Sequence, residues 1–128
     1  HAYYLIRNSE LMGLTDREVE IIAQVARYHR KGAPKSEHAE FAALSTADQR
    51  IVRSLAGLLR VAIGLDRTYD ARVKSVSTKL TADELIIAIK PRGKKADISL
   101  NMYAANERKG LLSEVLQRKV KFIDASSV

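Results

Sequence analysis

Two stretches of this chain end as amphipathic helices should not. Val25-Ala26-Arg27-Tyr28-His29-Arg30-Lys31 and Leu58-Leu59-Arg60-Val61-Ala62-Ile63-Gly64-Leu65-Asp66-Arg67 each carry an apolar stripe that runs into His, Arg or Asp on the face that packing should bury. A buried polar group without a partner costs about 1 to 3 kcal/mol, and more when charged, so these side chains must pair within the fold or with a ligand. Any structure the chain adopts has to satisfy two polar helix ends.

Around those ends the pattern reads as helices first and mixed structure later. Residues 2 to 9 form the end of a helix that Gly13 stops. Thr15 and Glu18 make a capping box, with Leu14 and Val19 at the positions of a hydrophobic staple. Val19, Ile22, Ala23 and Ala26 then recur at helical spacing, predicting a helix over 16–30 that Gly32 and Pro34 end. The polar segment 32–44 reads as a loop anchored by Phe41. Ser45, with Asp48 three residues on, opens a third helix reaching about Asp66, whose expected buried stripe is Val52, Leu55, Ala56, Leu59, Ala62 and Ile63.

Beyond Asp70 the period changes. Segments 72–80 and 84–90 read as strands joined at Thr81-Ala82-Asp83, and the continuously apolar Leu85-Ile86-Ile87-Ala88-Ile89 suits a strand covered on both faces. After the basic loop Pro91-Arg92-Gly93-Lys94-Lys95, one helix is expected over 98–116 and a short strand over 119–123. The fold class is therefore α+β, with a helical region at 1–70 and a small ββαβ unit at 71–128.

On a 100° wheel, His29 and Arg30 extend the stripe of their helix, and Asp66 falls on the side of Val52 and Leu59. A carboxylate at a helix C-terminus opposes the macrodipole by about 0.3 to 1 kcal/mol and calls for a cation. One reading makes His29, Arg30 and Asp66 a buried ion-pair network that fixes the packing of two helices. Arg53, Arg60 and Arg67 stand seven apart, drifting about 20° per step into a row some 21 Å long. Guanidinium forks in such a row suit a linear polyanion; a solvated face with ordinary surface ion pairs is the other reading.

Composition closes several classes. With 22 Lys plus Arg against 15 Asp plus Glu, the net charge of +7 favours an anionic partner. There is no Cys, hence no thiolate nucleophile or disulfide, and His1, His29 and His38 do not have the spacing of a metal cluster. No HExxH, GxSxG, glycine-rich phosphate loop or paired-carboxylate motif occurs. No apolar run approaches the ~20 residues of a membrane span. The expectation is a cytoplasmic protein with no membrane contact and no catalytic or metal residue in this chain. Opening at His1 and passing directly into Tyr3-Tyr4-Leu5-Ile6 suggests a piece of a longer protein. Nucleic-acid binding fits the charge, but no interleaved aromatic platform or reading motif accompanies it.

His1-Ala2-Tyr3-Tyr4-Leu5-Ile6, Gly13-Leu14-Thr15, Ala26-Arg27-Tyr28-His29-Arg30-Lys31 and Leu59-Arg60-Val61-Ala62 with Gly64-Leu65-Asp66-Arg67 resemble the C-terminal region of exopolyphosphatase/guanosine pentaphosphatase (Ppx/GppA) enzymes. Residues 1–67 are similar to the second half of their HD-like helical domain, and 97–117, with Leu100-Asn101-Met102-Tyr103-Ala104-Ala105, to the terminal small domain. The resemblance implies a parent hydrolase acting on inorganic polyphosphate or pppGpp, whose actin-like catalytic domains and Mg²⁺ lie outside this chain. It further implies that this region helps hold polyphosphate and form a homodimer. The implied polyphosphate contacts are Arg27, His29, Arg30 and Lys31, to which the helical wheel adds Arg53, Arg60 and Arg67. HD-type phosphohydrolases usually place a metal-binding Asp where Ile63 stands, and an apolar side chain cannot hold a hard cation. An HD-class metal phosphohydrolase and a nucleic-acid module remain the alternatives to a polyphosphate-binding one.

Overall fold

A computed structural model describes residues 2–30, 32–93 and 96–126. In chain order these form α1 (Ala2–Arg7), α2 (Asp16–Tyr28), α3 (Ala39–Ala42), α4 (Thr46–Leu65), β1 (Val73–Leu80), β2 (Glu84–Pro91), α5 (Ser99–Glu107), α6 (Gly110–Leu116) and β3 (Lys119–Asp124). The class is α+β, as expected, with a helical part followed by a small strand-bearing unit. Within these residues no helix is long and apolar enough to cross a membrane.

Local chemistry sets the helix starts. The Thr15 hydroxyl accepts the Glu18 N–H at 3.1 Å, while the Glu18 carboxylate accepts the Thr15 N–H at 2.8 Å, completing the capping box of α2. Gly13 takes the left-handed backbone that its position after α1 predicts, with φ +84°. Ser45 caps α4 by accepting the Asp48 N–H at 3.1 Å. Phe41 anchors the 32–44 segment, buried on the short helix α3.

The three strands lie in the order β1-β2-β3, with β1 antiparallel and β3 parallel to β2. A parallel neighbour needs a crossover, and α5 and α6 supply it. Ile87 and Ile89 of β2 and Val120 of β3 are buried with Val61, Ile98, Ala105 and Leu112 in one core cluster. A second cluster gathers Ile21, Tyr28, Phe41, Val52, Ala56 and Leu111. Helix α4 contributes to both, packing on α2 and on the α5–α6 crossover. The apolar run of β2 is covered on one face, while Ile86 and Ala88 on the other are half-buried.

Two expectations are corrected. The helix predicted over 98–116 is two helices, broken at Arg108–Lys109, and the break lies between the points where α5 and α6 each meet α4. The buried side of α4 is formed by Asp48, Val52, Ala56, Gly57, Val61 and Gly64. It is turned by roughly a quarter of a revolution from the stripe that hydrophobicity selects. Leu55 and Leu59, expected inside, are 44% and 37% exposed. The cause is close packing: a Cβ on Gly64 would fall 2.7 Å from the Cα and N of Ala105, and one on Gly57 3.0 Å from those of Leu112. Helix backbones approaching this closely need glycine between them, and the larger apolar residues are left on the other side.

Gly64→Ala gains about 1 kcal/mol of helix propensity. It meets backbone atoms that cannot swing aside, and such overpacking costs typically ~1 to 3 kcal/mol or more. Urea denaturation should show a net loss for Gly64→Ala and a smaller one for Gly57→Ala; a raised midpoint for Gly64→Ala would refute the seam.

Acid sensitivity follows from the carboxylates. The Arg17 guanidinium, bonded to Asp48 at 2.6 and 3.0 Å, holds that carboxyl below its ordinary range. Hydrogen bonds from Thr68 and Arg72 do the same for Asp70, and those from Ser99 for Asp97. The unfolded chain protonates such groups near pH ~3.9 while the folded chain still holds them ionised, so stability is full above that pH and falls as pH drops through the folded values. Urea midpoints measured downward from pH 6 should decline below about pH 4, more gently for Arg17→Met.

Candidate functional site

The C-terminal ends of α2, α4 and α5 meet around a cleft of about 720 Å³ lined by His29, Arg30, Arg60, Ile63, Asp66, Arg67, Tyr69, Glu107 and Arg108. Their C-caps are themselves lining residues: His29 for α2, Asp66 for α4 and Arg108 for α5. Each helix end presents unsatisfied carbonyls and about half a negative charge, so cations are favoured there before any ligand is considered.

Arg60 answers that demand directly. Half-buried on α4, it donates from Nε to the Tyr28 carbonyl at 2.8 Å and from Nη2 to the Gly32 carbonyl, tying α4 to the chain leaving α2. Burial pulls its pKa down, though a guanidinium remains charged throughout the ordinary range. His29 folds back on its own helix, its Nδ1 on the Ala26 carbonyl. A carbonyl only accepts, so Nδ1 carries a proton and Nε2 is the ring's remaining polar atom. Arg108 reaches the Ala104 carbonyl from Nη1 at 3.1 Å. The Glu107 carboxylate beside the Tyr103 hydroxyl raises the tyrosine pKa. Asn101, fully buried, donates to the Leu65 carbonyl at 2.8 Å and to Thr68 Oγ1 at 3.1 Å, locking the end of α4 to α5.

Four of the seven expected anion contacts, His29, Arg30, Arg60 and Arg67, come together here. Arg27 does not line the cleft: its guanidinium lies 5.4 Å from the Tyr3 ring and 5.9 Å from the Tyr28 ring, with Glu40 at 3.6 Å. Arg53 pairs with Glu114 of α6 at 2.9 Å. Lys31 lies outside the described residues, as do His1 and the Lys94-Lys95 pair of the basic loop. The Arg53/Arg60/Arg67 row is thus no uniform solvated ridge; it runs along the packed side of α4, and its members have separate employments.

The network expected of His29, Arg30 and Asp66 does not form. Arg30 and Asp66 are exposed and His29 half-buried, and among the described residues none of the three makes an ion pair within 4 Å. The quarter-turn difference between the apolar stripe and the buried face accounts for this, because it carries Asp66 out of the packed side.

Sequence reasoning missed Tyr69, Glu107 and Arg108. Tyr69 is 78% exposed and has φ +57°, and Ala71 two residues on has φ +55°. Two left-handed non-glycine residues around Asp70 turn the chain sharply out of α4, each at a cost of order 1 kcal/mol. No residue type announces such a turn. Arg108 and Glu107 were hidden by the expectation of an unbroken helix.

The formal balance of the lining is four arginines against two carboxylates. Three helix ends contribute roughly −0.5 each, so the cleft is only mildly positive. Arg30, Arg67 and Arg108 are its exposed cations with no ionic partner within 4 Å among the described residues, and of these Arg108 is held on the Ala104 carbonyl. Ile63 lines the same space, and among the described residues no three His, Asp or Glu side chains gather as a metal set.

No curated protein sequence matches this chain. A family model does: Ppx/GppA phosphatase, domain III, over residues 1–114. That match takes in α1 through the greater part of α6, including every residue that lines the cleft, and the chain accordingly belongs to the Ppx/GppA phosphatase family.

Proposed function

We propose that this chain is the C-terminal module of an exopolyphosphatase or pppGpp 5′-phosphohydrolase, and that it docks a chain of phosphates without cleaving it. Hydrolysis belongs to actin-like domains outside this chain, together with the Mg²⁺ they use. The observation that carries the docking role is the pairing of Arg30 and Arg67, exposed at the ends of neighbouring helices on one cleft. Guanidinium forks bind phosphate oxygens bidentately and keep their charge. His29 adds a ring donor when protonated, and Arg60 holds the two helix ends in position. Ile63, an apolar side chain in the cleft, disfavours an HD-type metal centre there, because a hard cation needs oxygen ligands.

The docking is weak in the isolated chain, since carboxylates and helix dipoles offset much of the local charge. The net charge of +7 supplies long-range attraction, screened over about 8 Å at physiological salt. The same reading includes a homodimer. Ile51, Leu55, Leu58 and Leu59 form an uncovered apolar stripe on α4, 37 to 51% exposed, which a second copy would cover.

Long-chain polyphosphate should bind with log affinity falling linearly against log salt, and the Arg30→Glu/Arg67→Glu double variant should lose about tenfold or more with a shallower slope. Arg53→Glu should lose much less. Equal loss from both, or a salt-independent affinity, would overturn the cleft as the docking place. In sedimentation velocity the chain should show a concentration-dependent dimer that Leu55→Glu/Leu58→Glu abolishes; a monomer at all concentrations would remove the homodimer.

A further inference from the structure

The far end of the sheet holds a second concentration of positive charge that the helical cleft does not use. Register between β1 and β2 slips between Val73 and Ser75, so Lys74 lies in a bulge, while Ser75 pairs with Lys90 and Val73 with Pro91. Bulges redirect a side chain out of the pleat, and this one sets a lysine next to the lysine of the neighbouring strand. Arg92 completes the group. Its backbone N–H donates to the Arg72 carbonyl at 2.7 Å and its Nε to the Ala71 carbonyl at 2.8 Å. The guanidinium is therefore held in place by Nε, and its two Nη groups make no hydrogen bond to the described residues.

Lys74, Lys90, Arg92 and Ser126 line a pocket of about 470 Å³ with Pro91 and Gly93. Among the described residues, no carboxylate lines it. Of the acids close by in the chain, Asp124 accepts the N–H of the pocket's own Ser126 at 2.8 Å, while Asp97 accepts from the N–H and hydroxyl of Ser99, and Asp70 accepts from Thr68 and Arg72. Among the described residues, none of the three cations makes an ion pair within 4 Å. Three like charges around one concavity repel one another, and an anion carrying several charges relieves that repulsion while accepting from a fork, two ammonium groups and a hydroxyl.

We propose that this pocket binds a compact condensed phosphate of at least three charges, independently of the helical cleft. Tripolyphosphate is the probe. Titrated into the ¹⁵N-labelled chain, it should shift the amides of Lys74, Ser75, Lys90, Arg92 and Ser126 to saturation, and orthophosphate should act about tenfold more weakly because it bridges fewer donors. Lys74→Ser/Lys90→Ser should weaken the sheet-end shifts about tenfold or more while the spectrum keeps its dispersion and the shifts around Arg30 and Arg67 persist. Where that variant loses dispersion, Lys90→Gln alone is read in the same way. Undiminished sheet-end binding in either variant would overturn the site, as would sheet-end shifts that vanish with Arg30→Glu/Arg67→Glu, or no sheet-end shift at all. Failure of the cleft reading has a different signature, with sheet-end shifts present and cleft shifts absent.

Discussion

The close approach of α4 to the crossover helices organises this structure. Gly57 and Gly64 stand seven residues apart on one side of α4, and the backbones of Leu112 and Ala105 occupy the space their side chains would take. Contact at that distance gains dispersion along two helices at once, but it commits α4 to an orientation chosen by its smallest residues. The apolar stripe then faces away. Arg53, Arg60 and Arg67 are carried along the packed side, where each survives by a local device: an ion pair with Glu114, two carbonyl partners, or a position past the helix end. Long cationic stems can cover apolar surface while their heads find partners, which is how three arginines fit beside a helix seam.

The same seam builds the cleft. With α4 pressed against α5, and Asn101 in the first turn of α5 bound to the Leu65 carbonyl, the end of α4 is fixed against α5. Arg60 then holds the α2 terminus there by the Tyr28 carbonyl. Convergence of three C-termini creates a region that requires cations for stability, so the arginines around it are partly a structural necessity and only partly an offer to a ligand. Membership of the Ppx/GppA phosphatase family is consistent with either share being large.

Much of the fold was legible in the sequence because it is encoded locally. The capping box at Thr15 and Glu18, the Ser45 cap, Gly13 and the strand periods each depend on residues a few positions apart, and each element lies close to its expected place. What could not be read was the rotation of helices about their axes. A hydrophobic wheel assumes that the most apolar face is inside, and on α2 and α4 that assumption left Ile22, Leu55 and Leu59 inside when they are outside. Gly64 appeared in the sequence as a single residue of a familiar-looking motif; its meaning depends on Ala105, 41 positions away. The site suffered accordingly. Arg30, Arg67, Arg60 and His29 were found as helix-end residues, whereas the supposed partnership with Asp66 followed from the wrong rotation and vanished with it.

The two basic regions differ in the backbone beneath them, and that difference governs how much of each positive charge a ligand can use. In the cleft, Arg30, Arg67 and Arg108 sit over helix C-termini whose carbonyls carry partial negative charge, with Asp66 and Glu107 alongside. An incoming phosphate there must compete with the protein's own anionic ends. Among the described residues, no helix terminus lines the sheet-end pocket, and strand dipoles alternate and largely cancel. Lys74, Lys90 and Arg92 face no such terminus, although they are three against the cleft's four arginines. Counting basic residues along the sequence ranks the helical segment first; weighing each against its backbone narrows the gap between the two regions as places for an anion.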